Sequence, residues 1–131
     1  MKTVGYHAII EMEGIDRKKL DDIRFVKNLV KRLKVEAKFE IVGEKYHKFK
    51  PQGLTSVALI ASSHFSVHTW PEHGYVAIDL YTCDRKSKFE KGIKIILEEF
   101  KPKRFYIEIL KRGRFVIERK KFEKLKIKSK I

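Results

Sequence analysis

Apolar and polar residues alternate with a period of two along several stretches of the chain, and this pattern predicts β-strands. Two further stretches, 56–61 (SVALIA) and 75–81 (YVAIDLY), are almost wholly apolar, which is typical of strands covered on both faces. Gly43, inside another stretch, predicts a β-bulge. The predicted strands cover residues 4–12, 39–49, 56–61, 65–68, 75–81, 104–110 and 114–117.

Two other stretches repeat their apolar residues every three or four positions, which predicts amphipathic helices. The apolar residues of the first stretch run from Leu20 to Leu33, and the second stretch covers residues 86–100 and ends before Pro102. Up to residue 110 the elements follow the order β-α-β-β-β-β-α-β. This order predicts an α+β fold, a two-layer α/β sandwich in which a mainly antiparallel sheet carries both helices on one face.

The length of 131 residues fits one domain with a single core. We expect this domain to cover residues 1–117 and residues 118–131 to form a basic C-terminal extension. Isolated apolar residues stand among lysines in that last stretch, so we expect the extension to be helical or frayed.

Most of the net charge of +14 belongs to the C-terminal part of the chain. Residues 101–131 contain 13 Lys and Arg against 3 Glu, whereas the first hundred residues contain 18 basic and 14 acidic residues. Lysine-rich tails usually lie in solvent, and the sequence lacks the aromatic platforms of RNA-binding modules. We therefore do not expect nucleic acid as a partner, and binding of RNA or DNA through the tail stays an alternative.

Several classes of protein are not supported by the sequence. The single cysteine cannot form an intramolecular disulfide, and no apolar run has membrane-spanning length. The first residues lack the apolar run and the small-residue cleavage site of a signal peptide. No glycine-rich phosphate loop and no His/Cys cluster with metal-ligand spacing is present. We therefore expect a cytoplasmic protein without a membrane segment or a metal.

The stretch from residue 62 to residue 83 contains most of the candidate chemistry. The hydroxyl of Ser63, near a basic group, can attack a carbonyl, including that of its own preceding peptide bond. The imidazole of His68 can carry a proton near neutral pH, and the thiol of Cys83 can donate one if it faces a pocket. The structural alternatives are a turn serine, a strand histidine and a small buried cysteine. Asp79 needs a partner if it is buried, and the sequence does not identify one.

One combination of residues is far more specific than any single residue in it. It comprises Ser63-His64-x-x-Val67-His68-Thr69-Trp70-Pro71-Glu72-x-Gly74-Tyr75 followed by Asp79, Thr82 and Cys83, together with Gly5-x-His7, Asp16-Arg17, Tyr46-His47-Lys48-Phe49 and Pro51-x-Gly53. This combination, which covers about residues 1–110, resembles the small prokaryotic S-adenosylmethionine decarboxylases, the pyruvoyl enzymes of spermidine and polyamine synthesis.

The resemblance implies a self-processing enzyme. Ser63 would attack the preceding carbonyl, the backbone would become an ester, and β-elimination would leave a pyruvoyl group at the new N-terminus. This group needs no external cofactor; it would form a Schiff base with the substrate amine and act as the electron sink for decarboxylation. By the same resemblance, His68 takes the Cα proton of residue 63 during processing, and Cys83 protonates the decarboxylated carbon.

The resemblance also implies how the substrate, S-adenosylmethionine, is bound. Glu72 matches the family carboxylate that holds the ribose hydroxyls. Phe49 and Trp70 are the aromatic residues expected near the adenine or the sulfonium, with core packing as the alternative for both rings. We expect a homodimer of processed (αβ) units, with active sites near the interface.

Two positions depart from the family pattern. Ser62 stands where the family usually has a glutamate, so the bond to be cleaved is Ser62–Ser63. Thr55 stands where the family has a second catalytic serine that stabilises the oxyanion during processing, and threonine keeps the hydroxyl on a stiffer side chain. Two alternatives therefore stay open: a paralogue that decarboxylates arginine, and an unprocessed homologue that binds a partner without catalysis.

Overall fold

The computed structural model describes residues 4–124 as one antiparallel sheet with helices packed against it. The sheet has seven strands in the order β2-β3-β4-β5-β1-β6-β7, which confirms the predicted α+β class with two long helices. No helix within these residues is long and apolar enough to cross a membrane. The elements are β1 (Gly5–Glu13), α1 (Arg17–Leu20), α2 (Ile23–Val35), β2 (Ile41–Lys48), β3 (Leu54–Ile60), β4 (Ser63–Trp70), a short 3-10 helix (Pro71–His73), β5 (Tyr75–Thr82), α3 (Lys86–Phe100), β6 (Arg104–Gly113) and β7 (Phe115–Lys124).

The helices α2 and α3 cover one face of the sheet and share a single hydrophobic core with it. In β1, Ala8, Ile10 and Met12 are fully buried, and the residues between them are only partly buried. Leu29 and Leu33 of α2 are also fully buried, at the spacing of one helical face. Burial of a large apolar side chain contributes about 1.5–3 kcal/mol, so this layer is the main source of stability.

Arg32 connects the last turn of α2 to the last turn of α3. Its guanidinium donates hydrogen bonds to Glu36 at 2.6 and 2.7 Å, to Glu98 at 3.0 Å and to Glu99 at 2.7 Å. These carboxylates, Glu36 above all, hold the pKa of Arg32 above its ordinary value. The two helices are therefore joined by charged hydrogen bonds as well as by apolar packing.

The opposite face of the sheet, here called the open face, carries no helix from residues 4–124. Burial alternates along β3, where the side chains of Val57 and Leu59 are 36% and 53% exposed, and it alternates along β5 as well. The prediction that these two apolar strands are covered on both faces is therefore wrong for the single chain. Both helices lie on one side of the sheet, so the residues that point to the other side stay accessible.

β2 and β3 form a hairpin that contains a bulge and a turn around Pro51. The register shifts between Ile41 and Gly43, which confirms the bulge expected at Gly43. The turn around Pro51 is closed by a hydrogen bond from the Phe49 amide to the Gly53 carbonyl at 2.8 Å. This turn carries Phe49 to the edge of the candidate site described below.

β7 forms an outer strand of the sheet and pairs with β6 from residue 113 to residue 105. The helical or frayed structure expected after residue 117 is therefore wrong for residues 118–124, and the predicted domain boundary falls inside this strand. Pairing with β6 satisfies backbone groups on one side of β7, and its lysines lie in solvent, as is common on edge strands. The rest of the predicted extension, residues 125–131, lies outside the described residues.

We expect Gly92→Val to lower the free energy of unfolding by about 1–3 kcal/mol, the usual cost of overpacking a core. A Cβ atom at Gly92 of α3 would lie 3.0 Å from Leu80 and 3.1 Å from Phe39, so the helix could not keep its distance from the sheet. Urea denaturation measures the change. Lys94→Val, on the exposed side of the same helix, is the matched control and should cost less than about 1 kcal/mol. Equal losses in both variants would contradict the packing argument.

Candidate active site

The bond expected to be cleaved lies at the tip of the hairpin that joins β3 to β4. Ile60 and Ser63 are the last paired residues, so Ala61 and Ser62 form the turn. Both turn residues are exposed, and Ser62 has a φ of 64° in the left-handed region, which costs a residue other than glycine about 1–2 kcal/mol. The Ser62–Ser63 peptide is therefore accessible and follows a strained residue.

Ser63 and Cys83 are brought together because β4 and β5 are antiparallel. His64 stands opposite Tyr81 in the register, so the start of β4 lies beside the end of β5. The Cys83 amide donates a hydrogen bond to the Ser63 Oγ at 3.1 Å. Both residues are partly buried. The contact therefore joins the hydroxyl of the predicted nucleophile to the backbone of the predicted proton donor, and the two residues are called the Ser63–Cys83 pair below.

Thr55 and His68 form a second contact on the open face. They stand opposite each other in the β3–β4 register, and the Thr55 Oγ1 lies 3.1 Å from the His68 Nδ1. A hydroxyl can donate to or accept from an imidazole nitrogen, according to the tautomer. The arrangement orients the His68 ring and leaves its other nitrogen free to exchange a proton.

The predicted substrate-binding residues gather around the same end of β4. Phe49, Thr55, His68, Trp70 and Glu72 all line one cavity of about 290 Å³. The rings of Phe49 and Trp70 are 47% and 39% exposed, so neither is packed in the core. These five residues are called the Thr55–His68 group below.

The structure does not bring the Ser63–Cys83 pair to the Thr55–His68 group within one chain. Ser63 and His68 lie on the same strand, five residues apart, which corresponds to about 17 Å at a rise of about 3.4 Å per residue. Successive side chains of a strand point to opposite faces, so Ser63 shares the face of the buried Phe65 and His68 lies on the open face. The predicted catalytic residues therefore form two half-sites in each chain.

Asp21 is a supporting residue that the sequence did not reveal. Its carboxylate accepts a hydrogen bond from the Gly53 amide at 2.8 Å and lies 3.3 Å from the Lys48 Nζ. The Gly53 hydrogen bond, with a smaller contribution from Lys48, holds the pKa of Asp21 below its ordinary value. Asp21 therefore fastens the turn that carries Phe49, and nothing in the local sequence pattern marks this long-range contact.

The partner of Asp79, which the sequence left unidentified, is His7. The His7 Nε2 lies 2.8 Å from the Asp79 Oδ1, and the His7 ring also contacts His64 and Tyr81 edge-on. Burial, followed by the charge of His7, lowers the pKa of His64. The pairing of β1 with β5 brings His7 to Asp79. The sequence marked these residues only as members of the family combination and did not show that they meet.

Comparison with family models gives a match over residues 6–113 to the S-adenosylmethionine decarboxylase model. The chain belongs to the S-adenosylmethionine decarboxylase family. The matched segment includes every predicted site residue, so the resemblance stated from the sequence is confirmed. It ends at the last residue of β6, and β7 lies beyond it.

Individual members of the S-adenosylmethionine decarboxylase family match over most of their length. The S-adenosylmethionine decarboxylase proenzyme of Sulfurihydrogenibium sp. (strain YO3AOP1) is 42% identical over 112 residues, which is 86% of this chain and 84% of the relative. The proenzyme of Pyrococcus furiosus is 40% identical over 113 residues, which is 86% of this chain and 81% of the relative.

Solved structures show the same architecture. The crystal structure of the adenosylmethionine decarboxylase from Aquifex aeolicus has a TM-score of 0.79 and 34% identity, and covers 90% of this chain and 96% of that chain. The Trypanosoma brucei AdoMetDC-delta26 monomer has a TM-score of 0.60 and 18% identity, and covers 80% of this chain and 45% of that chain. At this lower identity the second likeness concerns the fold alone.

We expect Asp21→Ala to lower the free energy of unfolding at about pH 7, with a difference from the unchanged chain that shrinks as the pH falls below about 4. A carboxylate whose pKa is lowered by folding stabilises the protein above its unfolded-state pKa. That contribution is lost as the pH falls through the folded-state value. Urea denaturation at several pH values measures it.

Asp21→Asn is the matched control for this prediction, because it keeps an acceptor for the Gly53 amide but has no charge. Its stability should lie between those of the unchanged chain and Asp21→Ala. A destabilisation by Asp21→Ala that grows toward acid pH would contradict the proposed contribution of the charge.

Proposed function

We propose that the chain is a proenzyme that cleaves itself between Ser62 and Ser63 and then decarboxylates S-adenosylmethionine, giving the aminopropyl donor of spermidine and polyamine synthesis. The observation that carries the proposal is the Ser63–Cys83 pair beside an exposed hairpin tip, in a chain of the S-adenosylmethionine decarboxylase family. A cytoplasmic location belongs to the same proposal, as does a single decarboxylase domain over residues 1–117 with residues 118–131 as its extension.

Self-processing begins at the Ser63 hydroxyl. Its oxygen attacks the carbonyl carbon of Ser62, the Ser62–Ser63 C–N bond breaks, and the backbone becomes an ester with a free amine on residue 63. Removal of the Cα proton of residue 63 then expels the Ser62 carboxylate and leaves a dehydroalanine. Water hydrolyses the imine tautomer of this residue, which supplies the ketone oxygen of the pyruvoyl group and releases the nitrogen as ammonia. The strained φ of Ser62 favours leaving the starting conformation. The hydrogen bond from the Cys83 amide holds the Ser63 oxygen in place.

His68 is the base proposed for the Cα proton, and Thr55 is the proposed oxyanion donor. In a single chain these residues are too far from Ser63 to act on it. A second copy of the chain would solve this problem if its Thr55–His68 group lay against the exposed hairpin tip that carries the Ser62–Ser63 peptide of the first. The open face, with the exposed Val57 and Leu59, is the surface we propose for a homodimer of processed (αβ) units.

The residues around position 63 fit a pyruvoyl group. Ser63 supplies the carbon atoms, and the site is partly buried beside the backbone amide of Cys83. Once formed, the group supplies the electron sink for loss of carbon dioxide, without an external cofactor or metal. The thiol of Cys83 is the group that we propose as proton donor to the carbon that has lost the carboxylate.

The cavity of the Thr55–His68 group suits a substrate with a ribose, a base and a positive sulfur. The carboxylate of Glu72 can accept hydrogen bonds from two neighbouring hydroxyls. The exposed faces of Phe49 and Trp70 can stack on adenine or attract a sulfonium. The Trp70 ring is already oriented by stacking on Tyr75, at 5.0 Å between centroids.

We expect the purified chain of 15.5 kDa to convert into two fragments, residues 1–62 and 63–131, with a pyruvoyl group on the second. Intact-mass spectrometry after incubation measures both the cleavage and the blocked N-terminus. Ser63→Ala, which removes only the hydroxyl, is the control and should stay uncleaved. A chain that never cleaves would instead support the unprocessed homologue that binds a partner.

Assays with S-adenosylmethionine and arginine then identify the substrate, and a preference for arginine would overturn our assignment.

We expect Ser63→Ala and His68→Ala to be inactive when each is produced alone and to regain activity when they are produced together. In a mixed dimer one of the two sites combines an intact Ser63 with an intact His68. Random pairing makes about half of the dimers mixed, so about a quarter of all sites would be restored. Decarboxylase activity of the co-purified chains measures the recovery. Mixed dimers without any activity would show that both residues act within one chain.

A further inference from the structure

Tyr81 occupies a central position on the open face, where four strands contribute to its surroundings. The Arg112 guanidinium of β6 lies over its ring at 4.7 Å. His7 of β1 and His64 of β4 both lie 5.8 Å from it between ring centroids. These contacts fix the ring in one place, although the proposed reaction assigns no role to any of them.

Gly5 provides the space that the Tyr81 ring needs. A Cβ atom at Gly5 would lie 2.9 Å from the Tyr81 Cε1 and 3.0 Å from its hydroxyl oxygen. Real Cβ atoms do not approach other atoms so closely, and a side chain at position 5 would displace the ring. The glycine of the Gly5-x-His7 motif is therefore explained by the position of Tyr81.

The hydroxyl of Tyr81 reaches the thiol of Cys83. The Cys83 Sγ donates to the Tyr81 oxygen across 3.6 Å, a normal length for a hydrogen bond of sulfur. This hydrogen bond and burial raise the pKa of Tyr81, so the phenol keeps its proton near neutral pH. A phenol can act as acceptor or donor, so the same group can accept from the thiol and donate to the thiolate.

We propose that Tyr81 is a positioning residue for Cys83, which holds the thiol in one position and stabilises the thiolate left after proton donation. The inference deepens the proposed function and depends on the proposed role of Cys83. In the proton-transfer step the S–H bond breaks, the proton passes to the substrate carbon, and the electron pair stays on sulfur. The phenol O–H then turns to donate a charge-assisted hydrogen bond to that sulfur, and a proton from solvent restores the thiol.

Other charged and titratable groups also face this pair, and they are the same with or without the phenol oxygen. They are His64 from β4, His7 from β1 paired with Asp79 of β5, Arg112 from β6, and Arg114, which lines a cavity with Tyr81. Asp84 follows Cys83 in the chain and is paired with Lys88 of α3 at 2.7 Å. Because Tyr81→Phe keeps the ring on which Arg112 and the histidines pack, it removes only the hydroxyl.

Alkylation of the thiol tests the inference without relying on catalysis, because Cys83 is the single cysteine of the chain. The rate of reaction with iodoacetamide is measured against pH for the unchanged chain and for Tyr81→Phe. We expect the midpoint of the curve to move upward by about half a pH unit or more in Tyr81→Phe, because the thiolate loses a donor. Tyr106→Phe removes a hydroxyl that is bonded to Glu108 on β6 and should leave the curve unchanged.

Kinetics then test the role in the reaction. We expect the kcat of Tyr81→Phe to fall about tenfold, with a KM within about twofold of the unchanged chain. Thermal melting of both variants verifies that they are folded. An unchanged alkylation midpoint in folded Tyr81→Phe would overturn the inference, as would a shifted midpoint with unchanged kcat. If the unchanged chain does not decarboxylate S-adenosylmethionine at all, the proposed function fails, and the alkylation curves still report on the Tyr81–Cys83 contact.

Discussion

The register in which β4 pairs with its two neighbours is the constraint on which the candidate site depends. Pairing with β3 sets His68 opposite Thr55, and pairing with β5 sets His64 opposite Tyr81. A slip of one residue would turn the buried Phe65 to the open face and His68 into the core. The apolar residues of β4 therefore hold its reactive residues in position, and core and site are specified by one register.

The same strand explains why the site is divided. Side chains of a strand alternate between two faces. Ser63 and His68 therefore point to opposite faces of β4 and are separated by about 17 Å along it. Each of these residues has its own hydrogen-bond partner: the Cys83 amide for Ser63 and the Thr55 hydroxyl for His68. A single chain therefore contains the predicted reactive residues in two separate groups, which the homodimer that we propose would bring together.

Local patterns predicted the fold well where they depend on one element at a time. The seven stretches predicted as strands all contain strands, and the apolar residues from Phe89 to Phe100 lie on the buried face of α3. The patterns failed where neighbours decide. The apolar run of β3 resembled a strand covered on both faces, but its outer residues Val57 and Leu59 are exposed in the single chain. Residues 118–124 carry too many lysines to resemble a strand, and pairing with β6 makes them one.

The sequence by itself determined the family, the fold class and the identity of the predicted reactive residues, because these follow from residue types at fixed spacings. Only the tertiary structure decided which of them meet. It paired Ser63 with Cys83 and Thr55 with His68, identified His7 as the partner of Asp79, and showed Asp21 fastening the turn at Gly53. The physical reason is that these contacts join residues from different strands and loops, and their geometry depends on strand order and register, which no local spacing contains.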